Sequence, residues 1–180
     1  DKSTEEEPVN VIDAAATGAS VGVKLAINVA GMLLAFIGLI ALMNNFVILF
    51  AELLGFEGIS IQLILGYVFA PLAFVIGVPW TEAVQAGSFI GQKFIINEFV
   101  AYIDFIKVRD TLSLQTQGII TFALCGFANL SAIAILLGGL GAIAPQRKHE
   151  LASLGFKAVI AGSLSNLMSA TLAGIFLSML

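Results

Sequence analysis

The apolar run from Leu25 to Met43 limits this chain to few folds, because about 20 such residues are enough to cross a lipid bilayer. Asn28 is the only strongly polar residue in the run. Backbone amides and carbonyls inside a bilayer must find partners within the protein, so the run is expected to be helical. Of all 180 residues, 59% are hydrophobic and 11% are charged, whereas a soluble domain is about 25% charged. The sequence therefore predicts an all-α polytopic membrane protein.

Polar and glycine-rich interruptions divide the chain into six predicted segments. They are a cytoplasmic or interfacial lead-in helix (1–24), a long scaffold span (25–54), an interfacial segment (55–80), a re-entrant hairpin (81–108), a broken span (117–143) and a final span (150–180). Pro8, preceded by acidic residues, suits the first turn of the lead-in helix. Pro71 lacks an amide hydrogen, so for this stretch we favour a bent interfacial segment over the alternative of a straight span. The basic loop at 144–150 is predicted to be cytoplasmic.

Several classes of function are disfavoured by what the sequence lacks. With one cysteine, Cys125, and one histidine, His149, the chain has no internal disulfide and no multi-cysteine or histidine metal site. No basic patch suggests a nucleic-acid partner, and no nucleophile–base or metal-ligand signature suggests an enzyme or a resident cofactor. The chain starts without methionine and stops within an apolar run at Leu180. We therefore expect a C-terminal fragment of a longer protein.

Glu98 is the most informative polar residue, because an acid within the membrane is costly and usually functional. Its segment also carries Gln92, Lys93, Asn97 and Asp104, too many polar groups for a lipid-facing span. Such a pattern is typical of a re-entrant hairpin beside an aqueous cavity. We predict that Glu98 accepts hydrogen bonds from hydroxyls of a polar solute. Two alternatives stay open, namely that it pairs with Lys93 or that it caps a broken helix.

The fifth segment contains Gly126 and Asn129 near its middle, which predicts a break in the helix. A broken helix exposes backbone amides and carbonyls, and an asparagine side chain offers both a donor and an acceptor. Asn129 and Ser131 either contact the same solute as Glu98 or satisfy the broken backbone, and the two interpretations stay open. Phe127 either forms a gate or an apolar face for the solute, or packs as an ordinary core residue.

Two spaced motifs, Asn97–Tyr102 (NEFVAY) and Cys125–Ser131 (CGFANLS), resemble those of the concentrative nucleoside transporters, most closely the bacterial members. Shorter matching stretches extend the similarity over nearly the whole chain, at Pro8–Ala15, Gly77–Trp80, Gly138–Gly141 and Ala144–Pro145. The resemblance implies one half of an inverted repeat in a homotrimer that carries nucleosides inward with protons or sodium. It also implies that most of the ion site and the base-binding side belong to an N-terminal half.

The same resemblance assigns roles to individual residues. It implies that Glu98 and Asn129 bind ribose and that Phe127 lines the site near the sugar. Relatives often carry a serine three residues after this asparagine, where this chain has Ala132, and Ser131 precedes that position. The predicted substrate-binding residues are Glu98, Asn129, Phe127, Ser131 and Asn97.

The predicted function is ion-coupled nucleoside import across the inner membrane of a bacterium. The predicted partners are nucleosides, the lipid bilayer and identical subunits, and no nucleic acid. The chief alternative is a membrane assembly or regulatory subunit, in which polar groups inside the membrane only hold helices together.

Overall fold

The structure is a computed structural model that describes residues 9–143 and 145–179. Throughout these residues the regular elements are helices and no strand occurs, so the predicted all-α fold class is confirmed. The acidic stretch and Pro8, predicted to open the lead-in helix, lie outside the described residues, as do Ala144 and Leu180. The chain divides into two compact units, at residues 1–41 and 42–180.

Helix α1 (Val11–Leu53) begins in the first unit and ends in the second. Its start follows from local chemistry, because Asn10 Oδ1 accepts a hydrogen bond from Asp13 N and Asp13 Oδ2 accepts one from Val9 N. The predicted boundary between the lead-in helix and the scaffold span, at residues 24 and 25, falls inside this single helix. The helix ends at Leu53, and the chain then turns at Gly55, whose φ of 81° suits glycine.

Helix α2 (Ile61–Val75) starts at Ser60, whose Oγ accepts a hydrogen bond from Leu63 N. Helix α2 continues through Pro71, the residue on which the expected bend rested, so the proline does not end the helix. The chain turns instead at Gly77, where φ is 106°. The amides of Gly77 and Val78 donate to Phe74 O and Ala73 O, which is the Schellman pattern of helix termination.

Helix α3 (Trp80–Ile95) follows this turn and is bent by 115° from α2. The two helices pack closely because glycines face the opposite backbone. A Cβ atom at Gly66 would lie 2.6 Å from Val84 O, and one at Gly87 would lie 2.6 Å from Gly66 O. Aromatic stacking between Phe69 and Phe94, with ring centroids 5.6 Å apart, adds a contact between the two helices.

Four further helices complete the described chain: α4 (Glu98–Val108), α5 (Leu114–Leu124), α6 (Leu130–Ile143) and α7 (Lys148–Leu177). Short 3₁₀ turns at Arg109–Thr111 and Pro145–Arg147 precede α5 and α7. By length and composition, His149–Leu177 is the one described helix able to cross a membrane unaided. Ile61–Val75 and Trp80–Ile95 pass the same criterion only as a bent pair.

The apolar core of the second unit lies where α2, α3, α4, α5 and α7 meet. Its fully buried members include Ile90 of α3 and Ile119, Ile120 and Leu124 of α5. Gly174 of α7 makes room for Ile119, since a Cβ there would lie 2.7 Å from the isoleucine side chain. The core therefore fixes α3 and α5 side by side, and these are the helices that lead into the two interruptions described next.

Candidate functional site

The first interruption separates α3 from α4 at Ile96 and Asn97. Asn97 forms the N-cap of α4, with its Oδ1 accepting a hydrogen bond of 2.9 Å from Val100 N. Glu98 is consequently the first residue of α4, and its side chain is half-buried. A carboxylate at this end of a helix is stabilised by the partial positive charge of the free amides. The local sequence thus places an acid where its negative charge is favoured.

The second interruption covers residues 125–129, between α5 and α6. Asn129 is fully buried and directly precedes α6. Its Oδ1 accepts hydrogen bonds of 2.7 Å from Ala132 N and of 2.7 Å from Ser131 Oγ. Its Nδ2 donates a hydrogen bond of 2.6 Å to Glu98 Oε2. Asn129 therefore caps its own helix, which agrees with the interpretation that it satisfies the broken backbone, and it also contacts Glu98.

Ser131 provides another contact between the two interruptions. Its Oγ lies 3.2 Å from Ile96 O and 2.7 Å from Asn129 Oδ1. A hydroxyl has one hydrogen, so Ser131 donates to only one of these acceptors at a time. Ala132, which stands where the resemblance expects a serine, is almost fully buried. The Ser131 hydroxyl thus already has acceptors within the protein.

Lys93 does not pair with Glu98 as one alternative proposed. Its Nζ donates a hydrogen bond of 2.6 Å to Ala123 O, in the last turn of α5. Within the described ranges, ion pairs form between Lys107 and Asp104 and between Arg147 and Glu150. Tyr102 behaves like Lys93, because its hydroxyl donates to Thr121 O at 2.8 Å. Sequence reasoning missed both contacts, although a cation near the carbonyl end of a short helix is a known cap.

Phe127 lies in the second interruption and is 53% exposed. It lines a cavity of about 360 Å³ between α6 and α7, together with Ala132 and mainly apolar residues. Asn166 provides the one polar side chain of this lining, and it fills the space that a Cβ at Gly126 would need. Glu98 is not among the lining residues. The structure therefore brings Glu98, Asn129, Ser131 and Asn97 together, and Phe127 lines a cavity that also includes Ala132, whose amide bonds to Asn129.

The chemistry available at this meeting point is hydrogen bonding. For the part of the chain that is described, no three His, Cys, Asp or Glu side chains group in a way that holds a metal ion. Asn129 makes the one hydrogen bond seen to the Glu98 carboxylate within that same part, and it engages Oε2. A carboxylate has about four lone-pair sites, so Glu98 retains the capacity to accept hydrogen bonds from a solute.

The chain is similar to a known family of transporters and to individual members of it. A family model described as "Na+ dependent nucleoside transporter C-terminus" matches residues 1–174. The chain is 56% identical over 172 residues to the uncharacterized transporter YutK of Bacillus subtilis, covering 96% of this chain and 43% of that protein. It is 49% identical over 179 residues to the nucleoside permease NupC of Helicobacter pylori, covering 97% and 43%.

The structure of CNTnw in an inward-facing substrate-bound state is similar at a TM-score of 0.87 and 54% identity, over 96% of this chain and 43% of that one. The chain thus spans less than half the length of the relatives that it matches. Both relatives are described as a transporter or a permease and neither as an enzyme, in agreement with the prediction that the chain is not an enzyme. The chain belongs to the family of sodium-dependent, concentrative nucleoside transporters, of which it represents the C-terminal part.

Proposed function

We propose that this chain forms the ribose-binding side of an ion-coupled nucleoside importer in a bacterial inner membrane. The observation that carries the proposal is the 2.6 Å hydrogen bond from Asn129 Nδ2 to Glu98 Oε2, made where two interrupted helices meet. The bond holds one carboxylate oxygen and leaves the rest of the carboxylate available. A ribose presents neighbouring hydroxyls, and hydroxyls donate well to a carboxylate.

The position of Glu98 supports binding rather than a purely structural role. The N-termini of α4 and α6 meet here, since Glu98 begins α4 and Asn129 caps α6. Free amides at both ends favour a negative charge. A carboxylate in this position is a strong hydrogen-bond acceptor. Each hydrogen bond from a ribose hydroxyl to it then contributes about 1.5–3 kcal/mol.

The five predicted site residues take different parts in the proposal. Glu98 contacts the ribose directly, and Asn129 offers the second hydrogen of its amide. Asn97 and Ser131 act by orientation, because Asn97 starts the helix of Glu98 and the Ser131 hydroxyl bonds to Asn129. Phe127 is exposed and presents an aromatic face to the solute. Ser131 does not substitute for the serine absent at the next position, since its hydrogen is already donated within the protein.

The membrane arrangement is part of the same proposal. The spans lie at residues 25–54, 117–143 and 150–180, with an interfacial segment at 55–80 and a re-entrant hairpin at 81–108. Large apolar side chains exposed on the two longest helices, such as Leu34, Leu53 and Phe176, support a surface covered by lipid. The whole protein forms a homotrimer and moves its binding unit past a fixed scaffold. A proton or a sodium ion drives import from a site mostly outside this chain.

Uptake of labelled uridine by the complete transporter tests the proposal. Glu98→Gln keeps the shape of the side chain and removes its charge, so uptake is expected to fall to near background while the protein still reaches the membrane. Asp104→Asn on the same helix is the matched control, because Asp104 forms a solvent-exposed pair with Lys107. Normal uptake by Glu98→Gln, or an equal loss in both variants, would refute the ribose assignment. Absence of uptake by the wild-type protein, together with no protection of that protein against heat by a nucleoside, would favour the assembly-subunit alternative.

A further inference from the structure

We propose that Lys93 is a positioning residue for nucleoside recognition. Its ammonium group caps the carbonyl end of α5 and thereby fixes the interruption that sets Asn129 against Glu98. The inference rests on the proposed function, because it takes Glu98 as the ribose acceptor. It assigns a specific role in recognition to a residue that does not contact the solute.

Where α5 ends at Leu124, its last carbonyls lack the amide partners that a continuing helix would supply. In an uninterrupted helix they would accept hydrogen bonds from amides four residues ahead. Here the amide of Cys125 donates to Phe122 O at 3.3 Å, a shorter-range bond. Tyr102 Oη donates to Thr121 O, and Lys93 Nζ donates to Ala123 O at 2.6 Å. Side chains from the hairpin therefore replace amides that the interruption removes.

Burial makes the contribution of Lys93 different from that of Tyr102. Lys93 is only 2% exposed, and Ala123 is 1% exposed. A buried carbonyl without a partner is costly, and a buried ammonium without one is more so. The carbonyl end of a helix also carries partial negative charge, which favours a cation. The two groups therefore satisfy each other, and neither is stable in this place without its partner.

The position of this bond along the chain explains how it affects the site. Ala123 lies six residues before Asn129, and residues 125–129 join the two without helical structure. Such a connection has few internal hydrogen bonds. The position of Asn129 at its end therefore depends on how firmly its start, near Ala123 at the end of α5, is held. Loss of the Lys93 bond frees that start. The contact between Asn129 and Glu98 then lengthens, and recognition of the ribose hydroxyls weakens.

Binding measurements on the complete transporter in detergent test this role. We would measure dissociation constants for uridine and for its 2′,3′-dideoxy analogue, which lacks the two neighbouring hydroxyls at the 2′ and 3′ positions of the ribose. Lys93→Met removes the charge while keeping the length of the side chain. It is expected to weaken uridine binding about tenfold or more and to change binding of the analogue by less than about threefold. Preference for the ribose is thereby reduced, which a general loss of stability does not produce.

Two matched variants separate charge from packing. Lys93→Arg retains a cation and is expected to keep the preference for uridine within about threefold of the wild type. Tyr102→Phe removes the neutral hydrogen bond to Thr121 O, and this variant is also expected to keep the preference for uridine. If Lys93→Met does not yield folded protein, Lys93→Gln takes its place, with the same expected loss.

The possible outcomes distinguish this inference from the proposal on which it rests. Suppose that Glu98→Gln loses the preference for uridine over its analogue, whereas Lys93→Met or Lys93→Gln keeps it. This result overturns the role of Lys93 and leaves the ribose assignment intact. An unchanged preference in Glu98→Gln refutes the ribose assignment itself and the inference with it. A lost preference in Glu98→Gln and Lys93→Met that Lys93→Arg restores supports both.

Discussion

Replacing Asn129 by aspartate is the most stringent test of the contact at the centre of this site. In Asn129→Asp a carboxylate takes the place of the amide that lies 2.6 Å from Glu98 Oε2. Two unit charges at that separation repel by about 6 kcal/mol at an effective dielectric constant of about 20. The cap of α6 is retained, because an aspartate oxygen also accepts hydrogen bonds from Ala132 N and Ser131 Oγ. The repulsion is therefore the main change.

Proton uptake limits the size of this effect. One shared proton relieves the repulsion, and keeping an ordinary carboxylic acid protonated near pH 7 costs about 4 kcal/mol. The variant is thus expected to lose about 4 kcal/mol of unfolding free energy near pH 7, the smaller of the two costs. The penalty falls by about 1.4 kcal/mol per pH unit, so about 1 kcal/mol remains near pH 5. The sign follows because the folded variant binds more protons than the unfolded chain, and acid therefore stabilises it.

Chemical unfolding of the complete transporter in detergent micelles, near pH 7 and near pH 5, measures this penalty against the wild type. The double variant Glu98→Gln with Asn129→Asp restores one amide and one carboxylate in reversed positions. It is expected to recover most of the lost stability near pH 7. If Asn129→Asp unfolds like the wild type, or if the second substitution recovers nothing, the two side chains are not in contact and the account of the site is wrong.

Two further predictions test the framework that holds the site. Glu82→Gln is expected to reduce the unfolding free energy by about 1–3 kcal/mol, because the Glu82 carboxylate accepts hydrogen bonds from both the amide and the hydroxyl of Ser113 at the start of α5; unchanged unfolding in the same assay would contradict this. Gly87→Ala is expected to cost about 1–3 kcal/mol, because its Cβ would lie 2.6 Å from Gly66 O. Gly22→Ala is the control, because a Cβ at Gly22 meets no atom within 4 Å. It is expected to be neutral or slightly stabilising. An equal loss of unfolding free energy in both variants would rule out the proposed close packing.

Sequence patterns predicted features that depend on local chemistry. The composition and the apolar runs predicted the all-α class, because a bilayer leaves the backbone few other ways to satisfy its polar groups. The chain is interrupted at residues 125–129, in the stretch where Gly126 and Asn129 suggested a break. Asparagine is favoured at this position because its side-chain oxygen accepts a hydrogen bond from a free backbone amide in the first turn of the next helix.

The bend assigned to Pro71 shows where local reasoning fails. A proline removes one hydrogen bond, yet α2 continues through Pro71 and ends four residues later at Val75. The turn forms at Gly77 because glycine alone adopts the positive φ of the Schellman motif without strain. The sequence contained both signals, and the helix ends just before the glycine and not at the proline.

Contacts between distant residues were not predictable from one sequence. Lys93 was considered as a partner for Glu98 because the two are five residues apart, whereas its ammonium bonds to Ala123 O, 30 residues away. The pairing of Glu98 with Asn129 likewise joins residues 31 positions apart. Such pairs depend on which helices pack together, and hydrophobic periodicity does not specify that. The resemblance to a known family placed both residues at one site, but it did not reveal the bond between them.

The central claim is that the Glu98 carboxylate accepts hydrogen bonds from the ribose hydroxyls of a nucleoside. A cycle of four dissociation constants tests it most directly, for uridine and its dideoxy analogue with the wild-type transporter and with Glu98→Gln. The account predicts a coupling energy of about 1.5–3 kcal/mol between the hydroxyls and the carboxylate. A coupling energy near zero, with both proteins discriminating equally between the two ligands, would contradict it.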